Sequence, residues 1–280
     1  MKHRTRSFAF AAALGGLLAL NSNAADWAQW RGANRSDHSP DKGLLKSWPD
    51  GGPKRVWLNT DVGLGYSGYS IVDGRLFTMG LRDNTEFLIA VDANTGKELW
   101  ATKVGARYEN RWGDGPRTTP TVDGDRVYAM GGQGDLICAN VTDGRQVWSV
   151  SMTKDLGGSL PNWGYTESVL VDGDRVICTP GGSKGTLAAL DKSTGKVKWQ
   201  SSDLSDPAHY SSPIVIEHGG KRQYVQLVEK RLFGVDAANG KVLWQSDWPG
   251  RTAVIPTPIY ADGQVYITTG YGVGSKLVQL

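Results

Sequence analysis

An all-β fold, a β-propeller of four-stranded antiparallel blades, is predicted by three observations. Tryptophan returns at Trp57, Trp100, Trp148, Trp199 and Trp244, a spacing of about 47 residues that suits a four-stranded propeller unit. Asp-Gly pairs keep the same period at Asp73-Gly74, Asp123-Gly124, Asp172-Gly173 and Asp262-Gly263, with Glu217-His218-Gly219-Gly220 at the remaining position. No stretch beyond the N-terminal segment carries the 3.6-residue apolar period of a helix. Radial packing accommodates such repetition because it leaves only short sheet edges open.

The elements follow in order. Lys2, Arg4 and Arg6 precede an apolar run from Phe8 to Leu20, and Asn21-Ser22-Asn23-Ala24 follows it. This pattern predicts a secretory signal peptide over residues 1–24. The run is too short and too rich in glycine to span a bilayer, which takes about 20 apolar residues, so no membrane anchor is expected. Residues 25–56 form an N-terminal extension. From residue 57 to 280 the blades follow one another. Within each, an Asp-Gly hairpin joins strands A and B, because Asp and Gly tolerate the positive φ of a tight primed turn. A Gly-rich turn such as Gly131-Gly132-Gln133-Gly134 leads into strand C at Leu136-Ile137-Cys138-Ala139. The turns Val91 to Lys97, Leu190 to Lys196 and Val235 to Lys241 lead into strand D, which ends on the tryptophan. Each tryptophan is expected to wedge between neighbouring blades, since a ring that recurs in every repeat serves the scaffold.

The run Val-Asp-x-x-Thr-Gly-Lys-x-x-Trp, found at Val91 to Trp100 and nearly so at Leu190 to Trp199 and Val235 to Trp244, resembles the repeat of propellers of the pyrroloquinoline quinone (PQQ) type. That superfamily holds quinoprotein alcohol dehydrogenases and the propeller of the outer-membrane assembly machinery. The leader, with Trp27-Ala28-Gln29-Trp30-Arg31-Gly32 and Gly43-Leu44-Leu45-Lys46-Ser47-Trp48-Pro49, is similar to that of exported bacterial members. About five blades are represented. Trp57 closes a lone strand D, expected to complete the last blade, and Lys276 to Leu280 fall in a strand C. The resemblance implies a truncated seven- or eight-bladed propeller whose last blade is incomplete.

Ligands of a propeller are expected at the loops entering the innermost strands, where residues differ from blade to blade while the scaffold repeats. Those loops offer Tyr66, Trp112, Arg117, Asn162, Trp163, Tyr165, Glu167, His209 and Arg251. Glu167 stands where the other blades place Ser, Thr or Pro. It is open to a metal-ligand role, a base role, an ion pair with Arg117 or a purely structural role. Trp112, Trp163 and Tyr165 suit either stacking on a planar quinone or sugar, or packing.

Composition narrows the function. Of 31 Lys and Arg against 28 Asp and Glu, the three bases of the signal segment supply the whole excess, so a nucleic-acid partner is not expected. His209 and His218 lack partners at metal-ligand or triad spacing. Cys138 and Cys178 are read either as a pair in an oxidising compartment or as two buried thiols. A quinoprotein, as the resemblance implies, needs Ca²⁺ ligands and a catalytic Asp, often with adjacent cysteines. No adjacent cysteines occur, and no Asp stands out from the turns. The expectation is therefore an exported binding or scaffolding module without catalysis of its own, taking a protein partner or an extracellular glycan. The alternatives are a dehydrogenase using PQQ with Ca²⁺ and a carbohydrate-binding propeller.

Overall fold

A computed structural model describes residues 24–280. The expected signal segment, Ala24 apart, lies outside the described residues. Among the described residues there are nineteen strands and no helix, hence none long and apolar enough to cross a membrane. The first sheet is β1 (Ser70–Val72), β2 (Arg75–Arg82), β3 (Thr85–Asp92) and β4 (Glu98–Ala106). The second is β5 (Thr121–Asp123), β6 (Arg126–Met130), β7 (Asp135–Asn140) and β8 (Gln146–Ser151). The third is β9 (Leu170–Asp172), β10 (Arg175–Cys178), β11 (Ala188–Asp191) and β12 (Val197–Gln200). The fourth is β13 (Ile214–His218), β14 (Lys221–Leu227), β15 (Arg231–Asp236) and β16 (Val242–Asp247). The fifth has three strands, β17 (Ile259–Ala261), β18 (Gln264–Thr269) and β19 (Gly274–Gln279). Every sheet is an antiparallel meander, in the order A, B, C, D for the first four and A, B, C for the fifth.

The hairpin chemistry is as expected, with one refinement. Asp73-Gly74 and Asp262-Gly263 have positive φ at both residues, the signature of a type I′ turn. In the second and third sheets Asp123 pairs with Arg126 and Asp172 with Arg175. There the loop is Gly124-Asp125 or Gly173-Asp174, positive only at the glycine. The aspartate remains in the strand and the glycine alone turns the chain.

Each strand D carries a bulge that aims its tryptophan. Trp100, Trp148, Trp199 and Trp244 stand opposite Ala90, Cys138, Ala189 and Gly234, small residues that leave room for an indole. The next residue of strand C skips one position of strand D, which is the bulge. The indole N–H then reaches into the following sheet. Trp100 donates to the Val141 carbonyl at 3.1 Å, Trp148 to Lys192 at 2.9 Å and Trp199 to Ala237 at 3.2 Å. Trp57 does the same to Ala93 at 2.9 Å. Residues 54–58 nevertheless form no strand and add none to the fifth sheet, so the composite blade expected from Trp57 is not formed here. Trp244 donates to Gln223 Oε1 of its own sheet at 2.7 Å.

Four clusters of buried side chains hold the array, one at each junction between successive sheets. Phe77, Leu88 and Ile137 are representative of the first junction, and Tyr128, Leu136 and Val176 of the second. Cys138 and Cys178 sit in that second cluster as free, buried thiols. Burial pushes the Cys138 thiol up to about 11, so it packs as a small apolar side chain.

The N-terminal extension is more than a leader, because it enters the axis. Trp27 pairs with Ile71 of β1, the Ala28 carbonyl accepts from Val122 N–H, and Trp30 Nε1 donates to Thr257 Oγ1 at 3.0 Å. Arg35, only 5% exposed, donates to the carbonyls of Ser168, Val169 and Pro213. Within nine residues the segment bonds to the inner strand, or the loop feeding it, of all five sheets.

Candidate functional site

Counting back four residues from each inner strand gives Tyr66, Arg117, Thr166, Tyr210 and Ile255. All five line one pocket of about 330 Å³, with Trp163, Ala253 and Tyr271. The repeat creates this site because every loop enters its inner strand at the same end of the axis. The identity of the side chain at that position is free to vary. Two residues further on, Thr119, Ser168 and Ser212 tie the loops together. Ser168 Oγ accepts from Thr119 N–H and Ser212 Oγ from Ser168 N–H, each at 2.9 Å.

The walls are aromatic and their positions are fixed by hydrogen bonds. Tyr66 donates its hydroxyl proton to the Trp112 carbonyl at 2.9 Å. Trp163 and Tyr210 pack with ring centroids 5.6 Å apart, and the Tyr210 hydroxyl accepts from Trp163 N–H. Arg117 lies between two rings, its guanidinium carbon 5.3 Å from the Tyr66 centroid and 4.8 Å from that of Tyr108. Its two terminal nitrogens donate to the carbonyls of Gly113 and Gly115, each at 2.6 Å. A second hollow of about 330 Å³ shares Trp163 and Tyr210, and Asn162, His209 and Glu229 complete its polar side. His209 Nδ1 accepts from Val254 N–H, so the ring proton of the neutral form sits on Nε2, which is 4.0 Å from Glu229. Burial lowers the His209 pKa, and among the described residues no hydroxyl bonds to the ring.

The sequence-predicted residues thus divide. Tyr66, Arg117 and Trp163 line the first pocket, and Asn162 and His209 the second. Trp112 gives its carbonyl to Tyr66, while its own ring is 64% exposed beneath Arg111. Arg251 is exposed and lines neither hollow. Tyr165 faces away from both: it is buried in the core between the second and third sheets and donates to the Pro180 carbonyl at 2.8 Å. Glu167 does not pair with Arg117. It is 1% exposed and accepts from Thr179 N–H at 2.5 Å and from Gln226 Nε2 at 3.2 Å. Burial pushes its carboxyl up to about 7, against the pull of Thr179 and of the Arg35 charge. Tyr108 and Tyr271 were not anticipated. Thr166, Tyr210 and Ile255 lay in the chosen loops and become visible once the loops are aligned on the strands they enter.

Residues 84–279 match the family described as outer membrane protein assembly factor BamB. The chain belongs to this family of propellers. Among curated relatives, the outer membrane protein assembly factor BamB of Kangiella koreensis is 28% identical over 189 residues, covering 66% of this chain and 44% of that protein. The quinohemoprotein alcohol dehydrogenase ADH IIB of Pseudomonas putida is 32% identical over 122 residues, 40% of this chain and 17% of that one. The solved quinohemoprotein alcohol dehydrogenase of Comamonas testosteroni has a TM-score of 0.56 at 15% identity, covering 91% of this chain and 46% of that structure. That likeness shows the fold. The chain spans less than half the length of each of these proteins.

The quinoprotein likeness raises the question of whether PQQ with Ca²⁺ fits. Arg117 and the rings suit a planar anion, but Ca²⁺ takes six or more oxygen ligands, typically with carboxylates among them. No carboxylate lines the pocket, and Glu167 is enclosed by its own partners. Among the described residues no three potential metal ligands of the His, Cys, Asp or Glu type gather anywhere. The residues present do not fit a Ca²⁺-bound quinone.

Proposed function

We propose that this chain is an exported binding module whose loop face engages a partner protein, as a scaffold without catalysis of its own. The observation that carries the reading is the make-up of the axial pocket: four aromatic rings, a stacked arginine, and no nucleophile, base or metal-ligand set. Rigid aromatic side chains and arginine are what protein interfaces use as anchors. The relatives named as outer membrane protein assembly factors support the same direction, and Lys2 to Ala24 support export.

The test is calorimetric titration of the folded chain with two ligands. An unfolded outer-membrane β-barrel protein is expected to bind, and substitution of Trp163 by Ala is expected to weaken that binding. PQQ with Ca²⁺ is expected not to bind. Tight, Ca²⁺-dependent uptake of the quinone would overturn the scaffold reading in favour of a dehydrogenase.

A further inference from the structure

Some of the charged groups around the loop face are paired. Arg107 meets Asp114 and Glu109, and Arg231 meets Asp206. Arg117, like the exposed Arg111 and Arg251, has no carboxylate within 4.0 Å among the described residues, but it alone of the three is half-buried and lines the axial pocket. Its plane is fixed twice over, by the rings of Tyr66 and Tyr108 and by the carbonyls of Gly113 and Gly115. A cation held this firmly beside apolar walls has lost much of its water, and although its charge reaches Glu86 and Asp114, neither carboxylate bonds to it. It is preorganised for an anion arriving from outside.

We infer that the axial pocket takes an acidic side chain of a partner polypeptide, with the carboxylate on Arg117 and an adjoining aromatic residue against Trp163 and Tyr210. This rests on the scaffold reading and specifies its partner. The guanidinium edge left over from Gly113 and Gly115 faces the carboxylate, and stacking on the two tyrosines keeps that edge in place as the partner arrives. The neighbouring hollow, with Asn162, His209 and Glu229 on its polar side, gives an extended chain continuing past Trp163 groups to hydrogen-bond, and Glu229 there favours a residue other than a second acid. Charge complementarity selects a polypeptide that is acidic at this point, and the apolar rings select what stands next to the acid.

The test titrates the full chain with a blocked tetrapeptide holding aspartate beside phenylalanine, and with the same peptide holding asparagine. The aspartate peptide is expected to bind about tenfold more tightly, the margin of one charge-assisted hydrogen-bonded contact. Raising salt from about 50 to 500 mM should erase most of that margin by screening. Arg117→Gln should abolish the margin and Arg117→Lys should retain part of it. Because these variants touch the 113–115 turn, the salt series on the unmodified chain gives the result independently of their folding. Equal affinity for both peptides, no binding of either, or phenylacetate binding as tightly as the aspartate peptide would each overturn the inference. None of these outcomes bears on whether PQQ with Ca²⁺ is taken up, which decides the scaffold reading separately.

Discussion

At the scale of the residue, Glu167 and Arg35 are opposite charges withdrawn from water together. Arg35 bridges the third and fourth sheets through three carbonyls, and its charge is felt by Glu167. Burial outweighs that help and raises the Glu167 carboxyl from its ordinary value to about 7. A carboxyl that binds its proton more tightly when folded favours the fold fully below its unfolded pKa. That contribution is lost as pH climbs through the folded value. Glu167→Gln should therefore gain stability relative to the unmodified chain between about pH 4.5 and 7, by on the order of 2–3 kcal/mol. Denaturant melts across that window check it, and a difference that stays flat with pH would refute it. Glu167 was visible in the sequence because it breaks the Ser, Thr or Pro pattern of its repeat position. Arg35 was not: 132 residues separate the two charges, and nothing in the extension's pattern shows which of its side chains turns inward.

At the scale of the element, the unit of construction is a tryptophan from one sheet seated on the turn of the next. Gly195 shows why that turn needs glycine, since its φ is +72° and a Cβ there would lie 2.9 Å from the Trp148 ring. Gly195→Ala should cost roughly 2 kcal/mol through strain and collision together. Trp148→Ala should cost about 3–5 kcal/mol, as expected for a large ring removed from a packed junction. Trp244→Ala should cost less than half as much, because Trp244 is less enclosed and its N–H remains within its own sheet. Thermal or denaturant unfolding of the three variants ranks them, and equal losses for Trp148 and Trp244 would contradict the assignment. These units were legible from sequence because everything that specifies them is local: turn aspartate, turn glycine, and a tryptophan four residues on. What locality cannot convey is pairing between distant segments. Residues 54–58 read as a fourth strand and still form none, since strand formation depends on a neighbour and not on the segment alone.

At the scale of the whole molecule, four junction clusters link five sheets in series, and each sheet contacts only its neighbours. Such arrays tend to melt piecemeal unless something spans them. The N-terminal extension spans all five. Deleting residues 25–38 should lower the melting temperature and raise the ratio of calorimetric to van't Hoff enthalpy above one, as a single transition gives way to several. A scanning calorimeter measures both, and an unchanged ratio would show that the sheets are coupled without the extension. The pocket, by contrast, was legible only in outline. Its loops follow from the repeat, but which side chain of each loop reaches the axis depends on register with the inner strand, and that is set in three dimensions. One consequence of the extension concerns time. Trp27 to Arg35 are made before any of their partners, yet Trp30 bonds to Thr257 and Arg35 to Pro213. The segment must therefore wait, uncommitted, until residues more than 200 positions later have been synthesised. Its docking follows the formation of the strands it joins, and the cost of bringing such distant segments together falls there.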